Sequence, residues 1–247
     1  MSGEEPARAD DERERAPVAF GAWHALAATA IVTGVVTAAS YLAPAGYAGT
    51  FVGGGFLVAC YVLVLRHDTA TVRAYGLALG GLTETTRLDG RRLVREGAVA
   101  LGWALGLAAL TFPPFFFGFR LFWHVEGPFR FAAASGVLDE AAGQLLVVAL
   151  PEEAFFRGFL QTALDRAWRP RVRILGAELG LGYLLSAAIF AAGHYFTLPS
   201  PARLAVFFPA LAFGWLRART GGIGAGFVYH ALCNLFASAL VHGYGLG

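Results

Sequence analysis

Long apolar runs separated by short polar segments dominate the chain. A bilayer-spanning helix needs about 20 mostly apolar residues. Seven stretches approach that length: 18–42, 47–65, 98–119, 137–164, 179–196, the shorter 202–216, and 222–242. Glycine and alanine recur inside them, as at Gly102, Gly106 and Ala109, and small residues let membrane helices approach closely. The fold class expected from this pattern is all-α, a polytopic transmembrane helical bundle of about seven spans. Pro113 and Pro114 are expected to break or kink the third span near its end, because each removes a backbone donor. The longest polar connection, 66–96, carries Tyr75-Gly76-Leu77 and Leu79, which suggest a short interfacial helix.

Composition agrees with a lipid-facing surface. The 247 residues are 57% hydrophobic and 15% charged, with a mean hydropathy of +0.57, whereas a soluble domain carries about a quarter charged residues. The first seventeen residues hold six acids and three arginines with Pro6 and Pro17. They lack the basic start and cleavage site of a signal peptide and read as a disordered cytosolic tail. A formal charge of +2, spread through short loops, excludes a nucleic-acid footprint. Cys60 and Cys233 fall in apolar runs and read as small apolar fillers, not as a disulfide framework. All nineteen basic residues are arginine, and fifteen lie in segments on the N-terminal side of the membrane. Only Arg120, Arg130 and Arg203 lie opposite. Basic loops stay in the cytosol, so the N-terminus is expected there.

The nineteenth arginine is inside a span. Between 141 and 164 the charged residues are Glu152, Glu153 and Arg157. Each charge at the bilayer centre costs ~2.5–3.5 kcal/mol on insertion scales, so three within six residues need a reason. Glu153 and Arg157 are spaced i,i+4 and can pair on one helix face. Glu152 points about 100° away from Glu153 and is left for another partner. Pro151 frees the carbonyl of Val147 and favours a bend beside the acids. A buried ion pair that fixes packing accounts for Glu153 and Arg157, but not for Glu152.

Two further spans each hold a lone imidazole, His194 and His230, and Asn234 follows His230 by one turn. A lone buried histidine is ordinarily a hydrogen-bonded core residue. Two of them, with an asparagine and an unpaired glutamate, all turned inward from lipid, are expected to meet in one cavity. His194 sits near the outer end of its helix and His230 about 12 Å from the inner end of its own. Their meeting requires a tilted, short or irregular helix, and the sixth span is the expected place. Such a set suits hydrolysis: a buried carboxylate can deprotonate water, and imidazole and amide N–H groups can hold an oxyanion. Neither G-x-S-x-G nor H-E-x-x-H is present.

Glu152-Glu153-Ala-Phe-Phe-Arg157-Gly158, Phe190-Ala-Ala-Gly-His194 and His230-Ala-Leu-Cys-Asn234 resemble, in order, the EExxxR, FxxxH and HxxxN motifs of the CAAX protease and bacteriocin-processing (CPBP) family of intramembrane endopeptidases. Thr220-Gly221 also stands where that family often has Thr-Gly. The resemblance covers roughly 137–240. It implies a catalytic helical core over 137–242, preceded by N-terminal transmembrane helices and a polar loop over 18–136. By motif position, Glu152 and His194 would activate water, His230 and Asn234 would hold the oxyanion, and Glu153 and Arg157 would support the first motif. Family members are described both as metalloproteases and as glutamate-based enzymes. For zinc the ligands would be Glu152, His194 and His230; the metal-free mechanism is favoured, with no cofactor.

The resemblance implies a membrane-associated protein or peptide substrate, and the arginine-only composition suggests residence in a bacterial cytoplasmic membrane. Two other readings stand beside it. A proton-coupled transporter would also carry intramembrane acids, but the halves show no internal repeat, and peptide cleavage in detergent needs no gradient. An inactive scaffold of the same family would need no intact motifs, yet every motif position is filled.

Overall fold

The computed structural model describes residues 16–130 and 136–246; residues 1–15 of the expected tail lie outside them. The first span is α1 (Ala22–Leu42) and the second is α2 (Ala48–Cys60), extended by a π-helical turn, Tyr61–Leu65. The two pack on each other. Their mean hydropathy and length, with those of α4 and α10 introduced below, make four helices long and apolar enough to cross a bilayer among the described residues. Large side chains point outward from them: Trp23 is 80% exposed and Leu110 72%. In water such a surface would be costly, whereas lipid solvates it.

The polar connection departs from expectation. A short helix, α3 (Thr69–Ala74), capped by Asp68, precedes the Tyr75-Gly76-Leu77 segment. Tyr75 and Leu77 are themselves buried in the core and do not lie at an interface. Gly76 makes this turn with a positive φ of 69°, and its carbonyl accepts the Ile223 N–H at the start of the last helix. A side chain at Gly76 would also meet the Arg217 guanidinium. The connection is therefore folded back onto the C-terminal half.

Glu84 ties the same loop down, accepting bonds from Arg73 at 2.7 and 2.9 Å and from Arg92 at 2.9 Å. These bonds hold its carboxyl at about 2, below the usual 4.5. A depressed folded-state value stabilises the docked loop above pH 4.5 and loses that effect as pH falls toward about 2. Hydrogen-exchange protection over 82–89 should therefore drop across that window, and Glu84→Gln should already lack it at pH 7. Equal protection in the variant at neutral pH would refute the tether.

The third span is longer than expected. It is α4 (Gly90–Phe122), capped by Asp89, and it continues to Phe122 without stopping at Pro113 and Pro114. Prolines are tolerated in membrane helices where neighbours compensate the freed groups. Here Thr111 also donates to the Leu107 carbonyl within the same stretch.

The fourth span is helical from end to end but not uniform. It runs through α5 (Val137–Ala142), a π stretch Gly143–Ala149, α6 (Leu150–Glu153), a second π stretch Ala154–Gln161, and α7 (Thr162–Trp168). The irregularity expected from Pro151 thus takes the form of widened turns on both sides of the acids. Val147, whose carbonyl lacks its usual donor because of Pro151, presses that carbonyl against Gly53 of α2, where no Cβ fits. In the second π stretch, the Phe156 carbonyl accepts from Ser186 and the Arg157 carbonyl from Thr162. Side chains thereby satisfy groups that the widened helix releases.

A hairpin that the apolar pattern does not reveal, β1 (Val172–Ile174) with β2 (Ala177–Leu179), precedes α8 (Leu181–Thr197). Leu179 belongs to that hairpin rather than to the span. The sixth span opens as a 3-10 turn, Pro201–Val206, before α9 (Phe207–Thr220), so it does hold the expected irregularity. The last span is α10 (Gly224–Gly243). The core lies where the second π stretch meets α2, α8 and α9, around Phe155, Phe159, Phe190, Phe213 and Leu216.

Candidate active site

Glu152 and Glu153 end α6, between the two widened stretches, and both are buried, at 8% and 0% exposure. Arg157 follows one turn later and is 1% exposed. Its Nη1 lies 3.1 Å from Glu153 Oε1, and its Nη2 donates to the Ala210 carbonyl of α9 at 3.1 Å. The guanidinium also stacks over Phe190 at 4.4 Å and Phe213 at 5.2 Å. The expected i,i+4 pair is present, and it is clamped by α8 and α9.

Glu153 has a second partner that spacing did not reveal. His230 of α10 places Nδ1 3.1 Å from the same Oε1. A carboxylate can only accept, so Nδ1 carries the proton and donates. Nε2 of His230 then faces Glu152, 3.7 Å from Oε2. Phe213 stacks on the imidazole, with centroids 4.4 Å apart and planes at 15°, and so fixes the ring. Glycine makes room on α10: a Cβ at Gly226 would sit 3.1 Å from Glu153 Oε2. Gly158 is needed for a different contact, because a side chain there would strike Leu77.

Glu152 differs from Glu153 in having no tight partner. Its Oε2 is buried and receives no hydrogen bond from any described protein group. His194 of α8 stands nearby. Its Nδ1 lies 3.0 Å from the Phe190 carbonyl, which can only accept, so Nδ1 donates and Nε2 is left with its lone pair. The Phe190 ring, 4.4 Å from His194 and 5.8 Å from His230, forms the shared wall.

The fourth expected residue is set slightly apart. Asn234 lies one turn beyond His230 on the same helix face, but its Nδ2 donates to Gln144 Oε1 at 2.8 Å. Gln144 belongs to the first π stretch. As a neutral residue in an apolar run it gave no signal in the sequence beyond its polarity. Glu152, His194 and His230 are thus brought together, Asn234 borders them, and Glu153 with Arg157 stands behind His230.

Among the described residues no group of three His, Cys, Asp or Glu is arranged to hold a metal ion. Glu152, His194 and His230 therefore do not form a ready ligand set as they stand. A separate cleft of about 720 Å³ lies between the start of α4 and the start of α10, walled by Leu93, Ala100, Leu150 and Ala225. None of the six residues above lines it.

Residues 134–236 match the model of the family described as type II CAAX prenyl endopeptidase Rce1-like. That segment contains Glu152, His194, His230 and Asn234 together. Comparison with curated proteins and with solved structures gives no match.

Proposed function

We propose, from the premise that residues 134–236 carry the core of a CPBP-family intramembrane protease, that this protein hydrolyses peptide bonds of membrane-associated proteins or peptides with Glu152 as the base. The observation that carries the reading is the contrast between the two acids. Glu153 is bound on one oxygen by Arg157 and His230, whereas Glu152 Oε2 is buried with no protein donor. Glu153 also keeps one buried oxygen without a donor among the described residues, Oε2, but its carboxylate is anchored through Oε1 to a guanidinium and an imidazole. Glu152 has no partner among the described residues closer than His230 Nε2 at 3.7 Å and is the acid better placed to take a proton.

The chemistry follows from these positions. Glu152 takes a proton from water as the water oxygen attacks the scissile carbonyl carbon. His194, with a lone pair on Nε2, shares that proton. The oxyanion that forms is held by His230 Nε2–H and an Asn234 N–H. Collapse breaks the C–N bond, and the proton passes to the leaving amine. His230 can donate from Nε2 only as an imidazolium, since Nδ1 already carries a proton. Glu153, directly behind the ring, stabilises the cation in the manner of an acid behind a catalytic histidine.

The protein is an integral membrane protein by its apolar helices. We assign its N-terminus to the cytosol on the arginine bias between loops, and the membrane to a bacterial cytoplasmic one on the arginine-only composition. Comparison of membrane-protein C-termini in cells carrying wild type and Glu152→Ala tests the function. Termini that lengthen only in the variant are the expected result. Identical termini in the two would remove the protease reading.

No step above needs a cation. Purified protein should therefore keep its activity after exhaustive chelation, with metal content measured in the same sample. Loss of activity that zinc alone restores, at about one zinc per chain, would overturn this and make Glu152, His194 and His230 ligands.

A further inference from the structure

The polar face of α10 does not end at Asn234. His230, Asn234, Ser238 and His242 recur every four residues and so share one side of the helix. Two side chains from the fourth span meet that side. Gln144 accepts from Asn234, and Glu140 accepts from the Ser238 hydroxyl. Gln144 and Glu153 both reach α10, although they are separated by nine positions in sequence. At 100° per residue an α-helix would turn them about 180° apart. The π stretch Gly143–Ala149 lies between them. One extra residue absorbed in a widened turn reduces the angle to about 80°. The widened helix thus brings Gln144 to the same side as the acids.

What this does to Asn234 follows from amide geometry. A primary amide has two N–H donors on one end and an acceptor on the other. With one N–H given to Gln144, the orientation of the amide plane is set. Turning Asn234 by 180° would bring its oxygen against the Gln144 oxygen, two acceptors face to face. The second N–H is then left to a ligand.

We infer that Gln144 is a positioning residue that holds the Asn234 amide with an N–H ready for the oxyanion. This rests on the function proposed above for Asn234. Gln144 itself touches no reacting atom; it acts through Asn234.

A double-mutant cycle on purified protein with a cleavable peptide separates this from general support. Asn234→Ala is expected to lower kcat about 10²- to 10³-fold, as for loss of an oxyanion donor. Gln144→Leu should lower kcat about 10- to 100-fold, as for a misplaced group, with KM unchanged. The double variant should be no slower than Asn234→Ala alone, because the two residues act as a unit. Gln144→Glu, which keeps the acceptor, should recover most of the activity lost in Gln144→Leu. If Gln144→Leu fails to insert, Gln144→Met, which keeps the length and loses the acceptor, carries the same expectation. Losses that multiply in the double variant, or full kcat in Gln144→Leu, would overturn the inference. Full activity in Asn234→Ala with loss in Glu152→Gln would overturn it while leaving Glu152-dependent hydrolysis standing. Full activity in Glu152→Gln would overturn both.

Discussion

Glu152→Gln is expected to abolish cleavage and leave the protein folded and inserted. The substitution preserves size and one acceptor oxygen, and removes the basic lone pair. A positioned general base contributes about 10²- to 10⁴-fold, and no neighbour can replace it. Glu153 is the obvious substitute, one residue along, but its Oε1 is shared by Arg157 at 3.1 Å and His230 at 3.1 Å. Its other oxygen, Oε2, has no donor among the described residues, but protonating a carboxylate that already compensates a buried guanidinium would remove that compensation. Structural damage is expected to be small, because Glu152 Oε2 takes part in no protein hydrogen bond. The decisive measurement is single-turnover cleavage beside thermal unfolding on the same preparation. Wild-type cleavage by Glu152→Gln would remove it from the chemistry.

Much of this site is legible in sequence for one reason. In lipid a polar side chain must turn inward, so an isolated Glu, His or Asn in an apolar run marks the bundle interior. His194 is isolated in this way, His230 and Asn234 share one apolar run, and Glu152 is the acid of its run that the Glu153–Arg157 pair leaves over. The Glu153–Arg157 pair is local, and i,i+4 spacing reveals it. The link from Glu153 to His230 is not local, since 77 positions separate the two, and no periodicity reports it. The widened turns around the acids are equally silent, because an apolar run looks the same whether its bonds close over four residues or five. Gln144 stands outside the three motifs, and its place on the α10 side depends on one of those turns. The hairpin at Val172–Ile174 and Ala177–Leu179 has strands of only three residues, too short to show an alternating pattern. Its register is held from outside, where Trp215 of α9 donates to the Ile174 carbonyl at 3.0 Å.

Arg157→Ala should act on stability rather than on chemistry, and the expected loss is large. Arg157 is among the largest fully buried side chains, and its guanidinium meets three helices. One nitrogen meets Glu153, another donates to Ala210 of α9, and the plane lies over Phe190 of α8 and Phe213 of α9. Removing it leaves a cavity where these helices meet and leaves Glu153 dependent on His230 alone. Breaking a buried pair by deleting one partner costs ~3–5 kcal/mol, because the remaining charge is uncompensated. A lower unfolding temperature in detergent, with reduced yield of inserted protein, is the expected outcome. Arg157→Lys should recover only part of the loss. An ammonium can pair with Glu153, but it lacks the planar fork that also reaches Ala210 and stacks on two rings. The contrast with Glu152→Gln is the test of the two roles. An Arg157→Ala protein that melts like wild type yet cleaves nothing would move the arginine from support into the reaction itself.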